Sequence, residues 1–199
     1  MPVLRVDEEL ELLPWETDHA GDLFAAADAN RGYLRQWLPW VDFCKSVDDE
    51  REYIRRARDR TAAGGFDAGI WRGGRLVGTI GYNSIDPLNR RGEIGYWLAE
   101  AEQGKGVMTR CCAAVVHHGF AGLNLNRVAI FCATENKRSR AIPERLGFTL
   151  EGVYREAEWL YDHFVDLAGY GMVAREWARL QPGPGATAPP APRGFSNHG

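Results

Sequence analysis

The stretch Gln103-Gly104-Lys105-Gly106-Val107-Met108-Thr109 constrains the fold more than any other part of this chain. It lies between a strand-like run, Glu93-Ile94-Gly95-Tyr96-Trp97-Leu98, and a segment that sets Met108, Cys111, Cys112, Val115 and Gly119 at helical spacing. A strand, a Gly-rich turn and a helix with one buried face form the first part of a βαβ crossover. Such a turn also brings several backbone N–H groups to one point at a helix start. The orphan donors and the helix dipole there both favour an anion such as phosphate.

Composition narrows the partners. A chain of 199 residues suits one domain with a full core, and 45% apolar and 26% charged residues are ordinary for a globular fold. The net charge of −3 gives no electrostatic footprint for nucleic acid. No apolar run approaches the roughly 18 residues a membrane helix needs. Met1 to Leu13 carries acids in place of a basic region and an apolar run, so no signal peptide is expected and the cytoplasm is the expected location. Cys44, Cys111, Cys112 and Cys132 make no disulfide framework at this length. Cys111 and His118 share a helix face but stand roughly 10 Å apart along the axis, too far to ligate one ion, so no metal site is expected.

The remaining elements follow from periodicity and punctuation. Leu10–Leu13 reads as a first strand. Thr17 or Asp18 caps a helix over Ala20–Ala29, and a second helix starts near Ser46 or Asp48 and runs to about Arg60. Phe66–Trp71 and Arg75–Tyr82 form a hairpin across Arg72-Gly73-Gly74, and Pro87-Leu88-Asn89 turns into a third strand, Gly92–Leu98. After the glycine-loop helix come a buried strand, Arg127–Cys132, and a short helix, Arg138–Leu146, ended by Gly147. Two last strands, Phe148–Arg155 and Asp162–Met172, are antiparallel. Residues 181–199 hold five of the ten prolines and are expected to be disordered. The fold class is thus α/β (α+β): a mixed, mainly antiparallel, seven-stranded sheet with about four helices in one domain, 1–180.

Three phosphate ligands compete for the glycine loop. A nucleoside-triphosphate loop needs Lys followed by Ser or Thr, but Lys105 is followed by Gly106. A dinucleotide fingerprint needs a third glycine where Thr109 stands, and an acid where Asn124 stands. The third ligand is the pyrophosphate of an acyl-coenzyme A. Gln103-x-x-Gly106-x-Met108 resembles the Gln/Arg-x-x-Gly-x-Gly/Ala loop of the GNAT N-acetyltransferase superfamily, and Met at the last position resembles its RimJ/RimL branch, the ribosomal-protein N-terminal acetyltransferases. Glu93–Leu98 is similar to the fourth strand of that branch. Asn136 to Phe148 is similar to its Asn-x-x-Ser helix ending in Gly-Phe. Glu151-Gly152 and Arg155-Glu156-Ala157-Glu158-Trp159 are similar to its late strands. The resemblance spans about residues 8 to 178.

The resemblance implies a splayed central parallel strand pair, with acetyl-coenzyme A as co-substrate in the gap. Its implied contacts are Trp97, Leu98, Gln103, Gly104, Lys105, Gly106, Val107, Met108, Thr109 and Asn136. It implies direct attack by a protein or peptide N-terminal amine, with Ser139 as acid and Glu158 as base, and a homodimer as assembly. Many members carry a Tyr acid where this chain has Pro143, which has no proton to give. Alternatives stay open residue by residue. Trp97 packs the core or meets the ligand; Asn136 caps Ser139 or bonds the pantetheine arm; Ser139 satisfies backbone or protonates a thiolate. Glu158 ion-pairs at the surface or, buried against Trp159 with a raised pKa, accepts a proton. Glu93 is a second candidate base. Cys132 reads as a core residue, not a nucleophile. Arg51–Arg60 interleaves with acids as a solvated face would. Trp37-Leu38-Pro39-Trp40 lines an acceptor cleft or packs helices. A small amine acceptor, or a silent coenzyme A-binding module, is the rival function.

Overall fold

A computed structural model describes residues 3–180; the tail expected to be disordered lies outside them. Eight strands make one sheet: β1 Leu4–Arg5, β2 Leu10–Pro14, β3 Asp67–Arg72, β4 Arg75–Asp86, β5 Arg91–Leu98, β6 Arg127–Ala133, β7 Thr149–Leu160 and β8 His163–Val173, in the order β1-β2-β3-β4-β5-β6-β8-β7. Only β5 and β6 are parallel; the other neighbours are antiparallel. Six α-helices accompany them: α1 Ala20–Ala29, α2 Arg31–Leu34, α3 Val47–Ala62, α4 Val107–Ala121, α5 Lys137–Arg145 and α6 Ala174–Leu180.

The counts exceed the expected seven strands and four helices for physical reasons. β1 spans two residues and α2 four, too short for a period to show. α6 is seven residues long, held by Trp177 at 6% exposure against Phe120. β7 runs past Arg155 because a bulge, with Glu156 at φ +48, resumes pairing at Glu158 opposite Val165. Ser46 caps α3 as expected, accepting the Asp49 N–H at 3.3 Å. The entry to α1 differs. A 3₁₀ turn over Thr17–His19 precedes it, and the Glu16 N–H donates to His19 Nδ1 at 3.2 Å in place of a Thr17 or Asp18 cap.

Strand alternation divides the core into two layers. Val77, Ile80, Ile94 and Leu98 face α4, whose Met108, Cys111, Cys112 and Val115 are all buried. Leu76 and Trp97 point to the opposite face and pack with Leu23, Leu34 and Ile54 of α1, α2 and α3. Trp97 therefore serves the core: it is 8% exposed, with Trp40 at 6.2 Å between ring centroids. The basic face of α3 is solvated and ion-paired, Arg55 to Glu52 and Asp59, and Arg56 to Glu52.

Tyr82 threads from β4 to α4 and donates its hydroxyl to the Val115 carbonyl at 3.2 Å. It fits because position 119 is glycine: a Cβ there would lie 2.0 Å from Tyr82 Oη. Alanine would gain about 1 kcal/mol of helix propensity but overpack a buried rigid ring at a cost of about 1–3 kcal/mol. Gly119→Ala is therefore expected to destabilise the fold by up to about 2 kcal/mol, read as a lower denaturant midpoint at unchanged slope.

Candidate active site

The site begins where β5 and β6 part. They pair from Arg91 opposite Arg127 to Ile94 opposite Ile130 and no further, while β5 stays on β4 to Leu98 and β6 stays on β8 to Ala133. The Ala99 N–H donates to the Val77 carbonyl at 2.8 Å. Alternation along an antiparallel ladder then turns the Trp97 N–H toward β4 and the Tyr96 and Leu98 N–H groups toward the gap. Of the expected contacts Trp97 and Leu98, it is Leu98 whose backbone N–H faces the gap between the strands.

β5 leads through a 3₁₀ turn, Glu100–Glu102, into the glycine loop. Gly104 and Gly106 have φ of +73 and +71, conformations that side chains resist. The first α4 bond runs from the Arg110 N–H to the Gly106 carbonyl at 3.1 Å, so the N–H groups of Val107, Met108 and Thr109 project from the helix end. Glu102 anchors this loop. Only 4% exposed, it accepts from Arg72 at 2.7 Å, Arg75 at 3.0 Å and Lys105 at 3.2 Å. Burial pushes its carboxyl up, but the bonds from Arg72 and Lys105 hold it below the ordinary carboxylate range. Lys105 thus spends its ammonium on Glu102 and does not line the cleft.

A cavity of about 750 Å³ runs from the glycine loop to the gap. Trp97, Leu98, Gln103, Gly104, Gly106, Val107, Met108, Thr109, Asn136 and Ser139 all line it. Sequence reading missed Arg138 and Arg145, which line this cavity and suit phosphate, and Arg110, which lines it while ion-paired with Asp7 at 2.8 Å. Arg138 donates to Gln103 Oε1 at 2.7 Å, bridging α5 to the loop. These arginines carry no pattern of their own; only the fold gathers them. The volume, the projecting N–H groups and the arginines fit an acyl-coenzyme A.

At the head of the cavity Asn136 Oδ1 accepts the Ser139 N–H at 3.1 Å, so its cap role is present. Pro143, four residues after Ser139, has no N–H to give the Ser139 carbonyl. The Tyr96 hydroxyl takes that place and donates to the carbonyl at 3.2 Å, tying β5 to α5 across the gap. Ser139 Oγ lies 3.3 Å from Tyr96 Oη and 3.1 Å from Cys132 Sγ. Burial pushes both the Tyr96 hydroxyl and the Cys132 thiol up, so each keeps its proton at neutral pH.

A second cavity, of about 680 Å³, opens on the other face. Leu38, Tyr96 and Trp97 line both; Glu158 lines only the second, and Ser139 only the first. The β7 bulge presents Glu158. Burial and then the charge of Glu93 raise its carboxyl, whereas Trp159 is half-exposed and meets Phe164 edge to face at 4.8 Å between ring centroids. The expected packing against Trp159 is therefore not what shifts it. Glu93 is bonded by Asn83 Nδ2 at 3.2 Å. The Trp37–Trp40 segment both packs the helices and lines the cavities, pinned by Tyr161 donating to the Leu38 carbonyl at 2.6 Å.

A splayed parallel pair, fed by a glycine loop at a helix start, defines an acyl-coenzyme A-binding transferase. Comparison with known proteins makes the class specific. The acetyltransferase (GNAT) domain family matches residues 9–149, and the chain belongs to that family. It is 37% identical over 175 residues to YdaF of Bacillus subtilis (strain 168), covering 87% of this chain and 96% of that protein. It is 34% identical over 173 residues to the ribosomal-protein-serine acetyltransferase of Escherichia coli (strain K12), covering 85% and 96%. The solved structure of RimL, a ribosomal L7/L12 alpha-N-protein acetyltransferase in complex with coenzyme A, superposes with a TM-score of 0.83 at 29% identity, covering 86% and 98%. The chain is an acetyl-coenzyme A-dependent N-acetyltransferase.

Valine at position 106 would have to adopt a left-handed φ, costing about 1–2 kcal/mol, and would crowd the helix end whose projecting N–H groups suit phosphate. Gly106→Val is expected to abolish coenzyme A binding by calorimetry; wild-type affinity would refute the loop assignment.

Proposed function

We propose that this enzyme acetylates the N-terminal α-amine of a protein, of the ribosomal class that its relatives' names describe, by direct attack without an acetyl-enzyme. One observation carries the reading: Ser139 and Glu158 line different cavities that meet at Tyr96 and Trp97. The thioester enters from the glycine-loop side and supplies the acetyl group. The acceptor amine arrives from the other face.

On that reading Glu158, ionised, takes the amine proton, directly or through a water. The demand is modest, since an α-amine has a pKa of about 7.7–8.0 against about 10.4 for lysine. The Leu98 N–H, aimed into the gap, meets the carbonyl oxygen as charge develops. Ser139 gives its proton to the departing thiolate, held in place by Asn136 and Tyr96. Cys132 beside it stays a thiol and attacks nothing. The cytoplasm, where nascent termini are exposed, is the proposed place of action.

Incubation with acetyl-coenzyme A and a panel of peptides, polyamines and aminoglycosides tests the acceptor by intact mass. One acetyl gained on a peptide α-amine supports the proposal; gain on small amines alone replaces the substrate class. A second test concerns the base. Glu158 works ionised and its carboxyl is raised, so activity should fall with decreasing pH through a value above the ordinary carboxylate range. Glu158→Gln should lower kcat about a hundredfold or more and erase that acid limb, leaving the amine's own limb and coenzyme A affinity in place. An unchanged profile would remove Glu158 from the role.

A further inference from the structure

The second cavity holds a carboxylate for which the reaction above has no use. Glu50, in the first turn of α3, is 5% exposed and lines the wall of this cavity. Its one hydrogen-bond partner among the described residues is the Cys44 thiol, which donates to Oε1 at 2.9 Å. A thiol is a weak donor, and the second oxygen, Oε2, has no protein hydrogen-bond partner among the described residues and is not sealed from solvent. Burial pushes the Glu50 carboxyl up, as it must when no cation faces it.

The other carboxylates of this cavity are accounted for. Asp49 accepts the Lys45 N–H and the Ser46 hydroxyl at the cap of α3. Glu52 is paired with Arg55 and Arg56, and Asp67 with Arg60, Trp15 and Tyr53. The two arginines that line the cavity, Arg56 and Arg60, are thereby neutralised. Asp49 is met by those cap bonds alone, and Glu50 and Glu158 remain as the carboxylates with neither an ion pair nor a bond from an N–H or O–H donor among the described residues. The cavity that Glu50 lines has aromatic walls, with Trp40, Phe43, Tyr53 and Trp97. A carboxylate at the end of an aromatic-walled cavity is the chemistry that holds an ammonium or guanidinium.

We infer that the second cavity holds two positive charges of one acceptor, the reacting α-amine at Glu158 and a basic side chain close to that terminus at Glu50. The inference rests on the α-amine reading and narrows it to N-termini that carry Lys or Arg within their first few residues. Glu50 is then a specificity residue, which touches the acceptor away from the reacting atoms. A terminus with an acidic residue there would meet a second, uncompensated buried negative charge and be rejected.

The test uses the whole enzyme with acetyl-coenzyme A and α-amine peptides identical except for Lys, Gln or Glu near the terminus. Their lysine side chains are blocked from reaction by dimethylation, which keeps the charge. The expected result is kcat/KM for the Lys peptide at least about tenfold above that for Gln, with Glu lower still. In Glu50→Gln the ratio of Lys to Gln peptide should collapse toward one, and in Glu50→Asp, with the carboxylate drawn back, it should fall part of the way. Equal rates on all three peptides in the wild type would overturn the inference without any variant. A preference that survives in Glu50→Gln would overturn its assignment to Glu50. Acetylation of diamines with no peptide reacting would sink the α-amine reading alone. The Glu50 site then stands or falls on whether Glu50→Gln erases a preference for diamines over monoamines.

Discussion

Everything in this structure depends on the failure of β5 and β6 to pair beyond Ile94 and Ile130. In a closed parallel ladder the Tyr96 and Leu98 N–H groups would be spent on β6. Here each strand keeps its outer partner, β4 or β8, so the sheet stays whole while its centre opens. Unpaired backbone at the centre of a core is costly unless something satisfies it. The gap is bridged by a side chain of β5 itself: the Tyr96 hydroxyl reaches the Ser139 carbonyl on α5 that Pro143 leaves free. The proline that removes a familiar acid thus creates the acceptor that clamps β5 to α5. The Leu98 N–H is left facing the gap.

Burial then sorts the titratable groups by role. Cys132 and Tyr96 are raised and stay protonated, one inert and one a donor. Glu102 is as deeply buried as any acid in the fold, yet lies below the ordinary carboxylate range because Arg72 and Lys105 bond it. It is a structural ion that holds the glycine loop. Glu158 and Glu50 have no such partners among the described residues, and both are raised. Glu102, held by cations, supports the frame; Glu158 and Glu50 line the second cavity, where a cationic acceptor would complete them.

Much of this was legible in the sequence because it rests on local pattern. The glycine loop, the buried face of α4, the hairpin across Gly73-Gly74 and the Ser46 cap each declare themselves within a few residues. The alternation that separates Trp97 from Leu98 was equally readable, and it places them in opposite layers. What escaped has no local period. β1 and α2 are shorter than one repeat, and the β7 bulge breaks the alternation that would have shown the strand continuing to Glu158. Arg110, Arg138 and Arg145 come together only when α4 and α5 flank the loop. Lys105 looked like a phosphate ligand because sequence cannot show that Glu102 would claim it. The partnership of Pro143 with Tyr96 spans 47 residues and needs the gap before it has meaning.

The central claim is that donor and acceptor meet from opposite faces at Tyr96 and Trp97, with no covalent stop at Cys132 between them. Initial rates measured while both acetyl-coenzyme A and the acceptor amine are varied test this most directly. Direct transfer requires both substrates to be bound together, and predicts reciprocal plots that intersect. Parallel lines, with an acetylated enzyme seen by mass when acceptor is left out, would contradict it.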